Sequence, residues 1–548
     1  VLGSVLGLAL RTGLAPLPFQ LLGGDLGGGY FSGSAPALQW KPWAAALFGS
    51  MGVATALAGA GWPAQQVRQL PAAQTLKGLG SIQTQRSIAG WGPALLLCGA
   101  LLALLPPIAG VPLGAYLSVA LVLLGGIVCL PWLVGWLLDG VAPLVAQRVL
   151  LLLAVERARR VRHSASVAVS GVVAALSLAV ALTVMVSSFR HSVTAWLDTV
   201  LPAALYVRSG VGSATELAYL EPAYTAAAAQ LPQVQRIALQ RTLALHLDAS
   251  KPSVALLVRS LRNPEQAGLD LPLVGDALPV PAGQIGIYVS EAMLDLYAAR
   301  PGGSFPLLQK IFPRQLSGAA PVGFFVAGVW RDYARQFGSI AMDRQDYARL
   351  RDDPRINDMA VWLKDGADAS SVEQQLRTLA DQLAHTPQGG ASALLEFNSA
   401  DQIRNTTLRI FDRSFAVTYW LQAVAVGIGL FGVAASFSAQ VLARRKEFGL
   451  LAHLGLTQRQ ILGVVAAEGA AWTLLGALAG MALGLAVAVV LVHVVNPQSF
   501  HWTMQLSVPW WRLLALAAAV VVAGTLTARL AGRAAAGRDA VLAVKEDW

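Results

Sequence analysis

Charge is scarce in these 548 residues: Asp, Glu, Lys and Arg make up 13% of the chain, against 55% hydrophobic residues. Several soluble domains could not cover their surfaces with so few charges, so an ordinary soluble assembly is excluded. Cysteine is scarcer still. Cys98 and Cys129 both lie in apolar segments, where a thiol behaves as a small hydrophobe, and no disulfide framework is implied. The histidines are scattered without an i, i+4 pair, so no metal site is expected. No lysine follows a glycine, which rules out a Walker A phosphate loop, and no Gly-x-Ser-x-Gly nucleophile turn occurs. The chain is therefore expected to be non-catalytic and to bind no cofactor of its own.

What the sequence has in abundance is long apolar runs, each sufficient to cross about 30 Å of hydrocarbon as a helix. Eight membrane segments are expected, at about 1–20, 42–62, 90–108, 114–138, 166–189, 414–442, 459–494 and 510–532. The chain starts at Val1 in what reads as the interior of an apolar helix, so an N-terminal truncation is expected.

The net charge of +10 is not a nucleic-acid footprint. Residues 190–412 hold 20 basic and 22 acidic residues, and the remainder holds 20 basic and 8 acidic. Most of the surplus bases fall in alternate short loops: Arg68, Lys77 and Arg86; Arg148, Arg157, Arg159, Arg160 and Arg162; Arg444, Arg445, Lys446 and Arg459; Arg529, Arg533, Arg538 and Lys545. The positive-inside rule assigns these to the cytoplasm. The opposite connections, 21–40, 109–113 and 495–509, contain no Lys or Arg. The same parity puts residues 190–412 outside the cytoplasm.

That exterior segment reads as α+β. Strands are predicted at 204–208, 236–247, 253–258, 284–289 and 322–329, and helices at 290–299, 344–351 and 370–385. Val372, Leu376, Leu379 and Leu383 share one face of the last helix. A repeat links the two ends of the chain. LGSVLGLAL from Leu2 matches AGMALGLAV from Ala479, and both are followed by an outside loop, a Pro-Trp helix opening (Pro42, Pro509) and a basic stretch. Both copies cross in one direction, as parallel repeats do.

After the segment ending near Leu442 comes Ala443-Arg-Arg-Lys-Glu-Phe-Gly-Leu-Leu-Ala-His-Leu-Gly-Leu-Thr-Gln-Arg-Gln-Ile461, which leads into a Gly-rich helix with Glu468, Gly476, Gly480 and Gly484. This resembles the cytoplasmic signature of FtsX-like ABC transporter permeases, the group that includes the MacB and lipoprotein-release permeases; the likeness covers 414–548. Ile287 to Ala292 and Phe325 to Ile340 resemble the ten-helix, YbbP-type branch, in which two such units share one chain. The resemblance implies a polytopic α-helical membrane protein, with about eight transmembrane helices here and ten if complete, carrying one large α+β extracytoplasmic domain. Its divisions would be 1–80, the end of a first membrane unit; 81–165, two linking helices and a basic loop; 166–189, a membrane helix; 190–412, the exterior domain; and 413–548, a second unit with a coupling helix at 443–457.

In that family the coupling helix seats in a groove of the ATP-binding subunit, so the resemblance gives this role to Arg444, Arg445, Lys446, Glu447, Phe448, Leu451, Leu454 and Gly455. If helical, Phe448, Leu451 and Leu454 form one apolar stripe. The alternative reading is a basic turn anchored to anionic lipid. The implied partner is an ABC ATP-binding subunit, as a homodimer carrying ATP and Mg, together with the lipid bilayer and a periplasmic partner; nucleic acid is not expected. The implied function is conversion of ATP hydrolysis into movement of the exterior domain, for export or extraction of a lipid, lipoprotein or peptide at the inner membrane. The alternative is a signal transmitter that regulates a cell-wall hydrolase. Glu468, an intramembrane acid, reads either as a proton relay or as the partner of a nearby base. Arg331-Asp332-Tyr333 with Arg335 reads either as a ligand site or as a solvated turn.

Overall fold

The computed structural model describes residues 2–14, 41–68, 90–108, 110–145, 147, 152, 155–157, 159, 162–209, 219–261, 271–313, 322–383, 395–443 and 445–535. Helices α1 (Leu2–Leu14), α2 (Pro42–Arg68), α3 (Trp91–Leu102), α4 (Leu113–Val145) and α5 (Arg162–Val200) come first. The exterior domain follows as β1 (Leu205–Ser209), α6 (Pro222–Ala229), β2 (Val234–Leu245), β3 (Val254–Arg259), β4 (Gln284–Ser290), α7 (Glu291–Tyr297), α8 (Pro306–Ile311), β5 (Gly323–Trp330), β6 (Ser339–Asp343), α9 (Arg344–Leu350), β7 (Asp358–Leu363), α10 (Ala369–Leu383) and β8 (Leu395–Ser399). The chain returns through α11 (Ala400–Ala443), α12 (Arg445–His453), α13 (Gln458–Val490), a π-helical turn at Leu491–Val495, α14 (Asn496–Phe500) and α15 (Trp510–Ala535).

Among the described residues six helical stretches are long and apolar enough to span a membrane: Pro42–Gly61, Leu113–Gly140, Val169–Val200, Ala400–Ala439, Gln458–Phe500 and Trp510–Arg533. Two expected spans are shorter as helices, with α1 at 13 residues and α3 at 12. The glycines of α13 explain how its unit packs. A Cβ on Gly476 would lie 2.5 Å from Val169 Cγ1, and one on Gly484 would lie 2.6 Å from Val180 Cβ and 2.7 Å from the Ser177 carbonyl. Close backbone approach of this kind is how helices associate in lipid, where burial of apolar surface gives little drive. On another side of α13, Gly469 meets Ala528 and Thr473 meets Gly524, which seats α15. At the start of the chain α1 packs on α2 in the same way, with Gly49 against Leu8 and Gly52 against Ser4.

The sequence places membrane boundaries near 189 and 414, but the helices ignore them. Helix α5 runs on to Val200 and α11 begins at Ala400, because hydropathy marks where lipid ends and not where the helix ends. At 1.5 Å per residue α5 is about 58 Å long and α11 about 66 Å, well beyond the hydrocarbon thickness. The surplus forms a two-helix stalk. It is pinned by Arg190 on Asp412 at 2.7 Å and by an Arg404–Asp198 ion pair.

On the stalk sits an eight-stranded sheet of order β5-β4-β6-β3-β2-β7-β1-β8. β3–β6 and β4–β5 are parallel, and the remaining pairs are antiparallel. Two cores flank it. β3 to β6 close over α7, α8 and α9 around Ile287, Phe324 and Met342, while β1, β2, β7 and β8 close over α6 and α10 around Val361, Val372 and Leu376. The five predicted strands and three predicted helices are present with shifted ends. Strands β6, β7 and β8 and helices α6 and α8 are additional. β6 is five residues, Ser-Ile-Ala-Met-Asp, with the first four buried, too short and buried on both faces to show a period.

Candidate functional site: the two joints of the membrane unit

The first joint is cytoplasmic. Gly455 ends α12's turn in the left-handed region at φ +91, and the Leu456 N–H donates to the Leu451 carbonyl at 3.1 Å, a Schellman-type stop in which Leu451 and Leu456 pack on the same apolar cluster. Thr457 then caps α13, its hydroxyl and the Gln460 side chain exchanging bonds with each other's backbone N–H in a capping box. Between these signals α12 cannot merge with α13.

Phe448 is 2% exposed and lies in a cluster with Val441 of α11, Ile461 and Val465 of α13 and Ala528 of α15, with Leu451 half-buried beside it. Leu454 is instead 70% exposed and shares the outer face with Glu447 and Leu450, itself 61% exposed. The single stripe expected of Phe448, Leu451 and Leu454 therefore splits. Three-residue steps drift by about 60° each on a helix of 3.6 residues per turn, which carries Leu454 off the Phe448 face. Arg444 lies outside the described residues, as do the side chains of Arg445 and Lys446.

Arg157, from the basic stretch before α5, forms an ion pair with Glu447 of α12 and brings Nε to 4.0 Å from Glu468 Oε2. Glu468 is 6% exposed on α13. Of the two readings of this acid, the structure supplies the geometry of the second, a base within reach. One guanidinium thus faces a carboxylate on the surface element and another on the membrane helix. In the sequence Arg157 is one of the loop charges that set topology; its signal is the presence of two acids, Glu447 and Glu468, for an arginine-rich loop to meet.

The second joint is exterior. The connection from α14 to α15 climbs against the domain. Thr503 gives its N–H to Glu291 at 3.1 Å and its hydroxyl to the same carboxylate at 2.6 Å, while its carbonyl accepts from the Tyr333 hydroxyl at 2.8 Å. Arg331 reaches the Thr503 hydroxyl at 3.1 Å, and His501 meets Asp295 at 2.9 Å. On the stalk side, the Ser188 and Ser192 hydroxyls accept from the N–H groups of Ser507 and Gln505. Trp502, Tyr333, Phe189, Phe411 and Phe415 stack edge to face through this joint, with the Tyr333 and Trp502 centroids 4.3 Å apart. Burial pushes the Tyr333 phenol up to about 12.

The solvated-turn reading of Arg331 to Arg335 is thereby corrected. The Asp332 side chain is fully buried and accepts from the Ser339 hydroxyl at 2.7 Å, the Ala334 N–H at 3.0 Å and Arg335 at 3.0 Å. A carboxylate tolerates burial when its lone pairs are filled in this way. The segment packs between the domain and the 501–509 connection of the membrane unit.

Parts of this chain are similar to known proteins. The FtsX-like permease C-terminal family matches residues 421–540, a range that begins within α11 and includes α12 to α15. The uncharacterized ABC transporter permease protein Rv0987 of Mycobacterium tuberculosis (strain ATCC 25618 / H37Rv) is 28% identical over 351 residues, 62% of this chain and 38% of that protein, so the chain spans well under half the relative's length. Among solved structures, the periplasmic region of MacB from Actinobacillus actinomycetemcomitans aligns at TM-score 0.26 and 14% identity over 39% of this chain and 95% of that one. The extracellular domain of the noncanonic ABC-type transporter YknZ from Gram-positive bacteria aligns at TM-score 0.23 and 10% identity over 36% of this chain and 99% of that one. By its helices and its sheet domain, this chain is a multi-pass membrane protein with an extracytoplasmic α+β domain. Its residues 421–540 are similar to the C-terminal domain of FtsX-like permeases, and the chain is similar to an ABC transporter permease.

Proposed function

We propose that this chain is the membrane subunit of an inner-membrane ABC transporter that receives mechanical work from a separate, dimeric ATP-binding subunit through α12. The observation that carries the reading is the two-sided character of α12. Phe448 roots it among α11, α13 and α15, while Leu450 and Leu454 remain exposed on the side away from the protein. Exposed leucines on a short surface helix suit an apolar groove in a partner, and Arg157 ties the same helix to Glu468 of α13.

Motion of α12 would pass into α11 and α13, and from there through the stalk and the exterior joint to the sheet domain. The stiff elements are in the right places: α11 is one unbroken helix from the cytoplasmic joint to the domain, and α13 ends in the connection held by Glu291, Arg331 and Tyr333. The cargo would be a lipid, lipoprotein or peptide worked on at the outer face.

The test is co-purification of the tagged chain with its ATP-binding subunit from native membranes. Leu450→Asp with Leu454→Asp should remove nearly all co-purifying ATPase activity without changing the permease's elution or yield. ATPase recovery equal to that of the unaltered protein refutes the docking assignment.

A further inference from the structure

Among the described residues, one face of the exterior sheet has no helix on it. In β1 the residues Leu205, Val207 and Ser209 are buried and turn toward α6 and α10, so period two sends Tyr206 and Arg208 to the opposite side. The register carries the same face across the neighbouring strands. Tyr206 lies beside Ala360 and Asn398, Arg208 beside Asp358 and Glu396, and Ala238 beside Ala360. All of these remain at least partly exposed. The small side chains of Ala238 and Ala360 leave a depression, and a cavity of about 800 Å³ opens over it, within the range of small-molecule sites.

Two features of its lining specify chemistry. Five arginines, Arg208, Arg236, Arg259, Arg335 and Arg344, line it, against the two carboxylates of Asp358 and Glu396. Arg208 is paired to Asp358 at 2.7 Å and Arg335 to Asp332 at 3.0 Å, and counting Asp332 with the lining carboxylates still leaves more guanidinium groups than carboxylates. The lining is also graded along the strands. The end next to the stalk carries Leu201, Pro202, Ile403 and the ring of Trp362, against which Arg236 lies flat at 3.6 Å, while Arg208 sits at the other end of β1. Leu201 and Ile403 adjoin the tops of the two helices that rise out of the membrane.

We infer that this cleft is a binding site for an anionic amphiphile, with a phosphate-bearing headgroup held by the arginines and one acyl chain laid over the alanine floor toward the stalk. Guanidinium groups hold phosphate oxygens through paired N–H donors, whereas a neutral or zwitterionic headgroup would leave the positive excess uncompensated. The volume suits a single-chain lipid. The apolar end of the cleft lies where a molecule drawn from the outer leaflet along the stalk would arrive. The inference rests on the transporter reading and names its substrate class.

The probe is a lysophosphatidylglycerol carrying a photoreactive acyl chain, added to the full-length protein in detergent, with labelled peptides mapped by mass spectrometry. Labelling is expected on peptides holding 201–209 and 358–363. It should fall roughly tenfold in Arg259→Gln with Arg344→Gln, as for loss of charge-assisted hydrogen bonds. It should also fall in Ala360→Trp, which fills the depression, and with the lysophosphatidylcholine analogue. Equal labelling by both headgroups, labelling confined to the membrane helices, or displacement by polyglutamate or by inorganic phosphate overturns the assignment. Because the arginine variants leave α12 intact, ATPase co-purification separates the two ideas. Retained ATPase with no cleft labelling sinks only the cleft, whereas ATPase recovery indifferent to Leu450 and Leu454 sinks the transporter reading.

Discussion

The two joints of this molecule are built on opposite plans. At the cytoplasmic joint, the buried ring of Phe448 and the guanidinium of Arg157 hold a nine-residue helix that leaves Leu450 and Leu454 exposed. At the exterior joint the connection 501–509 is bound on two sides, by hydrogen bonds to Glu291, Arg331 and Tyr333 and by the stalk serines, and its aromatic residue Trp502 is enclosed by other rings. An attachment that must accept a partner cannot satisfy itself. One that passes displacement onward gains from having no slack. The contrast also follows the solvent. The membrane unit between the joints relies on glycine-mediated contact because lipid offers little hydrophobic drive, whereas the exterior domain closes ordinary cores around Ile287, Phe324 and Val361.

Substitutions can break this comparison, and the largest effect is expected between the joints. Gly484→Leu would force a side chain against Val180 and the Ser177 backbone, and should abolish recovery of monodisperse protein in detergent. Gly463→Ala on the same helix meets nothing within 4 Å and should elute unchanged. Equal behaviour of the two would disprove packing through the glycine face.

At the cytoplasmic joint, Phe448→Ala should destabilise the membrane unit by about 3–5 kcal/mol, measured as a lowered thermal midpoint, because it removes a fully buried ring. Leu454→Ala should leave that midpoint unchanged while weakening ATPase co-purification. If the two variants exchange phenotypes, the inward and outward assignments are wrong. At the exterior joint, Tyr333→Phe deletes the bond to the Thr503 carbonyl and should cost about 1 kcal/mol, with slower coupled ATP turnover and unchanged subunit binding.

The smallest effect expected is a pH dependence within the domain. Hydrogen bonds from Arg355 hold the Asp353 carboxyl below its ordinary value, with burial opposing them. A depressed folded-state pKa adds stability that is fully present above the unfolded value of about 4 and is lost as pH falls through the folded one. Thermal midpoints measured from pH 7 down to 3 should therefore drop less steeply in Asp353→Asn than in the unaltered protein. Parallel curves would contradict this.

The chain alone determined that it lives in a membrane, where its apolar segments lie, which loops carry the basic residues and where α12 must stop. Each of these is set locally, by the length of an apolar run, by charge beside a helix end, or by a Gly455 turn followed by the Thr457 to Gln460 capping box. Strands such as β2 and β5 were legible because their residues are long or alternate, while β6 and β8 gain their identity only from the strands beside them. Tertiary structure alone decided that Phe448 turns inward and Leu450 outward, that Arg157 meets two acids from distant segments, that Asp332 is enclosed instead of solvated, and that arginines from β1, β2, β3 and the β6–α9 corner gather around one cleft. Those outcomes depend on which helix or strand comes to lie opposite which. No window of sequence contains both partners, so the physics that fixes them acts only once the chain has folded.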